Sequence, residues 1–181
     1  KRIQYLTNQA GCDLIYAMKP CTLTWVLNTI SPFVTGFAAS SPFEAQLARG
    51  ILKDEGALHY HSVVITPEEF EQISVISNFI SFNSIKQLQT HTPGSASNIS
   101  VGLRVNPGIS FVTDERYDPC RRHSKLGVPV DTLSRIPSLT SDGLMFHSNC
   151  ESTNLGDLLN TVGILEHRLT PMLESLEWIN L

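Results

Sequence analysis

Short apolar runs recur along this chain, and most of them stop at a residue that can take part in chemistry. Signals of a helix start lie between several of the runs. Strand-like and helix-like segments that alternate in this way predict parallel strands joined by right-handed helical crossovers, and so a fold of the α/β class. The seven runs that we predict as strands are residues 14–18, 33–39, 58–60, 79–82, 101–103, 143–146 and 178–181.

Helix starts are marked by a capping residue, an early proline and a later acidic residue. Residues 41–44, Ser-Pro-Phe-Glu, place proline at the first helical position and glutamate at the third. Residues 66–69, Thr-Pro-Glu-Glu, repeat this pattern, and residues 84–87, Ser-Ile-Lys-Gln, are a weaker copy. The apolar residues that follow at helical spacing are Phe43, Leu47 and Ile51, and later Leu155, Leu158, Leu159, Val162 and Leu165.

The length of the chain limits the fold. A complete eight-stranded β/α barrel takes about 250 residues and rarely fewer than about 200, whereas this chain has 181. We therefore predict one domain over residues 1–181 that is an incomplete TIM-type (β/α)8 barrel of about seven strands, with a doubly wound open parallel sheet as the alternative. Residues 107–131 show no clear regular structure and are long for a connecting loop, which is typical of functional loops.

Composition and charge narrow the setting. The chain is 41% hydrophobic and 17% charged, with a net charge of −4, so neither nucleic acid nor an anionic membrane is an expected partner. We find no signal peptide and no apolar stretch of transmembrane length, and we expect a cytoplasmic protein. Four cysteines without CxxC spacing predict reduced thiols.

Reactive groups in parallel β/α folds gather at the carboxyl ends of the strands, and three run ends are candidates. An apolar wall before Lys19 would disfavour the ammonium form and make the amine nucleophilic, although a solvent-facing lysine gives the same pattern. His147 could stack on a cofactor, transfer a proton, bind a metal or simply be a hydrogen-bonded histidine. If Arg104 is buried, it needs a carboxylate such as Glu44 or a bound anion.

Other motifs are weak or absent. His59 and His61 share one face of a strand, a spacing that suits a metal pair, but the sequence identifies no third and fourth ligand, so we predict no metal site. The phosphate-binding motifs GxxxxGK and GxGxxG and the nucleophile elbow are missing. These absences count against a kinase, a dinucleotide enzyme and an α/β-hydrolase.

Taken in order, the segments resemble the fold-type III pyridoxal-phosphate decarboxylases, whose barrel is alanine racemase-like. Residues 17–19, Ala-Met-Lys, resemble the family's Ala-Leu-Lys, and residues 40–45 resemble its Ser-Ser-x-x-Glu-Ala helix start. Three further segments resemble the carboxynorspermidine (carboxyspermidine) decarboxylase subfamily. They are Gly-Leu-Arg-Val-Asn-Pro at 102–107, a segment at 117–127 that begins Tyr-Asp-Pro-Cys and ends Ser-Lys-Leu-Gly, and Phe-His-x-x-Cys-Glu at 146–151.

This resemblance implies a pyridoxal 5'-phosphate-dependent carboxy-lyase that decarboxylates a carboxylated polyamine in polyamine (spermidine) biosynthesis. It implies that Lys19 holds the cofactor, that His147 stacks on its ring, and that Lys125 pairs with acidic groups nearby. The implied catalytic residues are Lys19, His147, Cys150 and Glu151, and the implied cofactor-binding residues are Lys19, Glu44, Arg104, Lys125 and His147.

In the family, a phosphate-binding glycine loop, a glutamate for the pyridine nitrogen and a C-terminal β domain would follow residue 181. We therefore expect this chain to be inactive alone and to belong to an enzyme that is a homodimer at full length. Two alternatives stay open. One is a non-catalytic regulatory relative, which the presence of Lys19 disfavours, and the other is a metal-dependent barrel hydrolase that uses His59, His61 and His147.

Overall fold

A computed structural model of the chain describes residues 2–91, 98–136, 139–148, 150, 152 and 154–181. These residues form two compact units. The first contains residues 2–80 and 98–100, and the second contains residues 81–91 together with the described residues from 101 to 181. The division falls inside two strands, between residues 80 and 81 and between residues 100 and 101, and each unit is described by itself below.

The first unit is built from alternating strands and helices. Strands β1 and β2 pair in parallel, with Ile15 opposite Gly36, and β2 and β3 pair in parallel, with Ala38 opposite His59. In chain order its elements are α1 (Arg2–Ala10), β1 (Ile15–Ala17), α2 (Thr24–Ile30), a 3₁₀ turn (Ser31–Phe33), β2 (Gly36–Ala39), α3 (Pro42–Leu52), β3 (Ala57–His61), α4 (Pro67–Ser74) and the start of β4 (Phe79–Phe82).

The second unit continues the same alternation. Strand β5 pairs in parallel with β6 and with β7, and β7 pairs in parallel with β8. Its elements are the end of β4, α5 (Ile85–Thr90), β5 (Ser100–Asn106, whose first residue belongs to the first unit), a 3₁₀ turn (Glu115–Tyr117), β6 (Val128–Pro129), α6 (Val130–Leu133), β7 (Gly143–Met145), α7 (Leu155–Leu173) and β8 (Trp178–Asn180). The predicted α/β class is confirmed.

The predicted helix starts are confirmed at all three positions. The hydroxyl groups of Ser41, Thr66 and Ser84 each accept a hydrogen bond, 3.2 Å long, from the main-chain N–H three residues later. In α4 the capping box is complete, because the Glu69 carboxylate also accepts the main-chain N–H of Thr66 at 2.9 Å. These bonds satisfy amide groups that the first turn of a helix otherwise leaves without a partner.

In two helices, some of the apolar residues at helical spacing do not lie on the buried face. In α3, Phe43 is 82% exposed and the helix buries Ala45 and Ala48 instead. In α7, Leu155 and Leu159 are exposed, and the buried residues are Thr161, Leu165, Leu169 and Met172. Apolar spacing shows that a segment is helical, but it does not show which face of the helix is buried. A face of small residues can be buried instead, because small side chains let a helix approach its neighbours closely.

Element boundaries also differ from the prediction. The run 33–39 is a strand only over Gly36–Ala39, and the segment 107–131 contains a short 3₁₀ turn and the strand β6. The strand β6 has two residues, one of them a proline that cannot donate to a sheet, so no alternating pattern marks it. Helix α2 was not predicted, because its N-cap, Leu23, makes no side-chain capping bond and leaves no start signal.

Trp178 packs across the two strands beside its own in the second unit. Gly102, Gly143 and Trp178 are register partners on β5, β7 and β8. A methyl group at Gly102 or at Gly143 would overlap the indole ring of Trp178. The two glycines therefore make the space that the largest side chain of this row fills. Among the described residues, no helix is long and apolar enough to cross a membrane.

Replacing Gly143 with alanine should destabilise the protein. The new methyl group would overlap the Trp178 ring, and overpacking of this kind costs about 1–3 kcal/mol. Urea unfolding followed by circular dichroism measures the change.

Gly163→Ala is the matched control. This glycine lies inside α7, and apart from its chain neighbours and the nearby backbone of its own helix nothing lies within 4 Å of an added methyl group, so the same substitution should stabilise the helix by about 0.5–1 kcal/mol. Equal effects of the two variants would contradict the packing described for Trp178.

Candidate active site

Lys19 lies at the carboxyl edge of the first unit's sheet. It follows β1 by two residues, in a turn where the Cys21 N–H donates to the Met18 carbonyl oxygen at 2.9 Å. Met18 is fully buried, and its N–H donates to the Ala38 carbonyl oxygen at 3.0 Å, so the sheet pairing extends to the residue before the lysine. The lysine is itself exposed, which leaves its amine accessible.

Glu44 is anchored at the end of the neighbouring strand, β2. One carboxylate oxygen, Oε2, accepts the Ser40 N–H at 2.6 Å and the Ser40 hydroxyl at 2.9 Å. The other oxygen, Oε1, accepts no hydrogen bond from a described residue. Since adjacent parallel strands end at the same edge, Glu44 and Lys19 belong to the same edge of the first unit.

His59 is a packing residue of β3. Its ring stacks on Phe79 with the ring centres 4.3 Å apart and the planes 18° from parallel. Burial lowers the pKa of His59 to about 4, and the nearby Asp13 carboxylate offsets only part of this effect. In the part of the chain that the structure describes, no three His, Cys, Asp or Glu side chains are grouped to hold a metal ion. The metal-dependent hydrolase therefore gains no support.

Arg104 is half-buried within β5 of the second unit. Burial lowers the pKa of its guanidinium, and the thiol groups of Cys120 and Cys150 act in the opposite direction. Among the described residues of this unit, no carboxylate forms an ion pair with Arg104. A half-buried cation without a carboxylate favours an anionic ligand, and this is the second of the two partners that the sequence allows for this arginine.

Two cysteines, Cys120 and Cys150, lie near that arginine, and His147 contacts one of them. His147 follows β7 and is exposed, and its Nε2 atom lies 3.0 Å from the Cys150 sulfur. Burial, with smaller contributions from Asp118 and Cys150, raises the pKa of the Cys120 thiol to about 11, although Arg104 acts in the opposite direction. Cys120 is therefore a neutral thiol at pH 7 that lines the surroundings of Arg104.

Lys125 is exposed at the end of the loop that follows β5. Its main-chain carbonyl oxygen accepts a hydrogen bond from the side-chain amide of Asn83, at 2.7 Å. The same amide accepts the Gly127 N–H at 2.8 Å. The position of Lys125 in the chain is thus fixed by a residue 42 positions away.

The predicted site residues are distributed over both units. The first unit contains Lys19 and Glu44, and the second contains Arg104, Lys125, His147 and Cys150. Glu151 lies outside the described residues. Sequence reasoning gave no role to Asn83 or Cys120, although Asn83 does end one of the apolar runs and Cys120 lies in a family-like segment.

Comparison with known proteins identifies the fold. No protein-family profile matches the chain. The structure is similar to the crystal structure of carboxynorspermidine decarboxylase complexed with norspermidine from Campylobacter jejuni, with a TM-score of 0.84 at 22% sequence identity, over 99% of this chain and 45% of that one. The fold is therefore that of the β/α-barrel portion of fold-type III decarboxylases, and the doubly wound alternative is set aside.

Sequence similarity agrees with the fold. The carboxynorspermidine/carboxyspermidine decarboxylase of Herminiimonas arsenicoxydans is 33% identical over 182 aligned positions, which cover 99% of this chain and 48% of the relative. The carboxyaminopropylagmatine decarboxylase of Synechocystis is 32% identical over 97% of this chain and 45% of its own length. The predicted resemblance to the carboxynorspermidine/carboxyspermidine decarboxylases is confirmed. The chain spans about half the length of the curated relatives it matches.

The partly buried ring of His59 predicts a loss of stability in acid. His59 has a pKa of about 4 in the folded protein and about 6.5 when unfolded. Between these values the unfolded state binds the additional proton, so stability falls as the pH drops from about 6.5 to about 4, by on the order of 2–3 kcal/mol in total. His59→Phe, which keeps an aromatic ring beside Phe79, should remove most of this loss.

Urea unfolding at pH 7 and at pH 4.5 measures the effect. His167→Gln, which changes an exposed histidine on α7, is the matched control and should keep the acid sensitivity of the unchanged protein. If His59→Phe and His167→Gln lose stability equally on acidification, the burial of His59 is not its cause.

Proposed function

We propose that this chain is part of a pyridoxal phosphate-dependent enzyme that decarboxylates a carboxylated polyamine of the carboxynorspermidine or carboxyspermidine type in polyamine biosynthesis. The observation that carries the proposal is the accessible Lys19 amine, set at the carboxyl end of β1 beside the edge where Glu44 is fixed. Support comes from relatives named as decarboxylases along the whole chain. A relative named for carboxyaminopropylagmatine indicates the broader substrate class, an amine chain that carries a carboxylate.

The residues present fit this cofactor. Pyridoxal phosphate has an aldehyde that requires an accessible amine, a flat ring and an anionic phosphate. Lys19 and His147 are exposed, and half-buried Arg104 has no carboxylate partner among the described residues of its unit. The donor set therefore offers an amine, an imidazole face and an unneutralised guanidinium.

The proposed roles follow from these properties. Lys19 attaches the cofactor through its amine, and Arg104 and Lys125 supply positive charge for acidic groups at the site. His147 lies against the ring, and the sulfur of Cys150, 3.0 Å from Nε2, holds the imidazole in one orientation. Glu44 is held by its two hydrogen bonds with Ser40, which leave its Oε1 oxygen available to the site. Glu151 is the fourth proposed catalytic residue, with Lys19, His147 and Cys150. The bound cofactor supplies an electron sink for the electrons that carbon dioxide leaves behind.

We extend the proposal to the whole protein. The family resemblance supports a homodimer and a cytoplasmic location, in keeping with the biosynthetic names of the relatives. The net charge of −4 gives no attraction to nucleic acid or to an anionic membrane. On this proposal the chain contributes the barrel portion, residues 1–181, of the cofactor-binding domain.

Removing the amine of Lys19 should abolish cofactor attachment. The full-length protein is incubated with pyridoxal phosphate, reduced with borohydride and mapped by peptide mass spectrometry. We expect a pyridoxyl label on Lys19, and neither this label nor decarboxylation in Lys19→Ala.

Lys86→Ala, which changes an exposed lysine on α5, should keep both label and activity. A protein that decarboxylates its substrate equally well without Lys19 would overturn the assignment.

Two glutamates that make similar caps can be compared directly. Glu44→Ala and Glu69→Ala each remove a carboxylate that accepts a main-chain N–H at a helix start. Each should lower the free energy of unfolding by about 0.5–2 kcal/mol. Only Glu44→Ala should also weaken pyridoxal phosphate binding, measured by absorbance titration of the full-length variants. Equal cofactor affinity in the two variants would leave Glu44 with the role of a helix cap alone.

A further inference from the structure

The side chain of Asn83 connects two segments of the second unit that are far apart in sequence. Asn83 directly follows β4 and is 9% exposed. Its Nδ2 atom donates to the Lys125 carbonyl oxygen at 2.7 Å, and its Oδ1 atom accepts the Gly127 N–H at 2.8 Å. Both polar ends of this buried amide are therefore engaged with the main chain of the loop after β5.

The main chain of Asn83 is itself held by the start of α5. The main-chain N–H of Asn83 donates to the Gln87 side-chain oxygen at 3.0 Å, and the next residue, Ser84, caps the helix by accepting the Gln87 N–H at 3.2 Å. The backbone from which the Asn83 side chain projects is thus part of a capped helix start. The Asn83 side chain therefore projects from main chain that is fixed by hydrogen bonds.

The other side of the loop rests on β5 beside Arg104. Gly127 has a φ of +82°, and a methyl group there would lie 2.9 Å from the Arg104 carbonyl oxygen. The next residue, Val128, pairs with Val105 as the first residue of β6. The segment from Lys125 to Val128 is therefore held between Asn83 and the strand that carries Arg104.

This arrangement leaves the ammonium group of Lys125 available. Lys125 is exposed, and its side chain forms no ion pair with a described residue of the second unit. The carbonyl oxygen of this residue is nevertheless bonded to Asn83, and Gly127, two residues later, packs against β5. An exposed cation on a fixed main chain is a pre-organised partner for an anion, because less conformational freedom is lost on binding.

We propose that Asn83 is a positioning residue for the decarboxylation reaction: it fixes the main chain at Lys125 so that the lysine's ammonium group is held in place for the acidic groups at the cofactor site. This inference rests on the proposed function. Asn83 does not touch the reacting atoms and acts through Lys125. Without it, the loop keeps the contact of Gly127 with β5 but loses both hydrogen bonds to the end of β4.

Hydrogen–deuterium exchange of the Gly127 amide and pyridoxal phosphate titration of the full-length protein test the proposal together. In Asn83→Ala the Gly127 amide should exchange faster, and the Kd for the cofactor should rise by roughly 10- to 100-fold. Lys125→Ala should raise the Kd by a similar factor. Because Asn83 acts through Lys125, the double variant should bind no more weakly than Lys125→Ala alone.

Ser84→Ala is the matched control. It removes the cap of the same helix without removing either bond to the loop, so it should lower stability while leaving the Gly127 exchange and the cofactor affinity unchanged. If Asn83→Ala fails to fold, Asn83→Asp replaces it. The aspartate keeps the acceptor for Gly127 and loses the donor for the Lys125 carbonyl, and it should still raise the Kd.

The outcomes separate the inference from the function on which it rests. Unchanged Gly127 exchange in Asn83→Ala, or effects of Asn83 and Lys125 that simply add, would overturn the positioning role while the cofactor still binds the unchanged protein. A full-length unchanged protein that binds no pyridoxal phosphate would overturn the proposed function and, with it, this role.

Discussion

The joints between strands and helices depend on one requirement: the main-chain N–H groups at a strand end and at the following helix start need partners. At three joints of this chain, a side chain in the first helical turn reaches back to an N–H before the helix. Glu44 accepts the N–H of Ser40, Glu69 that of Thr66, and Gln87 that of Asn83. The residues that close these joints also set the direction in which Ser40 and Asn83 present their side chains. Functional groups at the strand ends are thus held by the same hydrogen bonds that start the helices.

Much of the fold could be predicted because its signals are local. A capping serine or threonine, an early proline and a glutamate lie within four residues, so the starts of α3 and α4 could be predicted from the sequence alone. Helix α2 has no capping side chain, and β6 is two residues long, so neither leaves such a signal. The buried side of α3 has no such local signal: the helix buries Ala45 and Ala48 rather than the larger Phe43, and this depends on how closely the helix packs against its neighbours.

The site could be predicted only where its residues come directly after an apolar run. Lys19 and His147 were found in this way, because strand ends in parallel folds collect at one edge. The hydrogen bonds of Asn83 join residues 42 and 44 positions apart, and no local pattern encodes a contact of that range. The environment of Arg104 was equally hidden, because the sequence does not show that Cys120 and Cys150 lie near it. His59 looked like half of a metal pair, and its stacking partner Phe79 lies on the next strand.

The row formed by Gly102, Gly143 and Trp178 has an evolutionary consequence. Each glycine is small because the indole ring occupies the volume that its side chain would need. The three positions are therefore coupled through one shared volume. A lineage that acquired an alanine or serine at either glycine could keep the row packed only by shrinking the residue at 178. Among homologous sequences these three positions should vary together: a larger side chain at 102 or 143 should occur with a smaller one at 178.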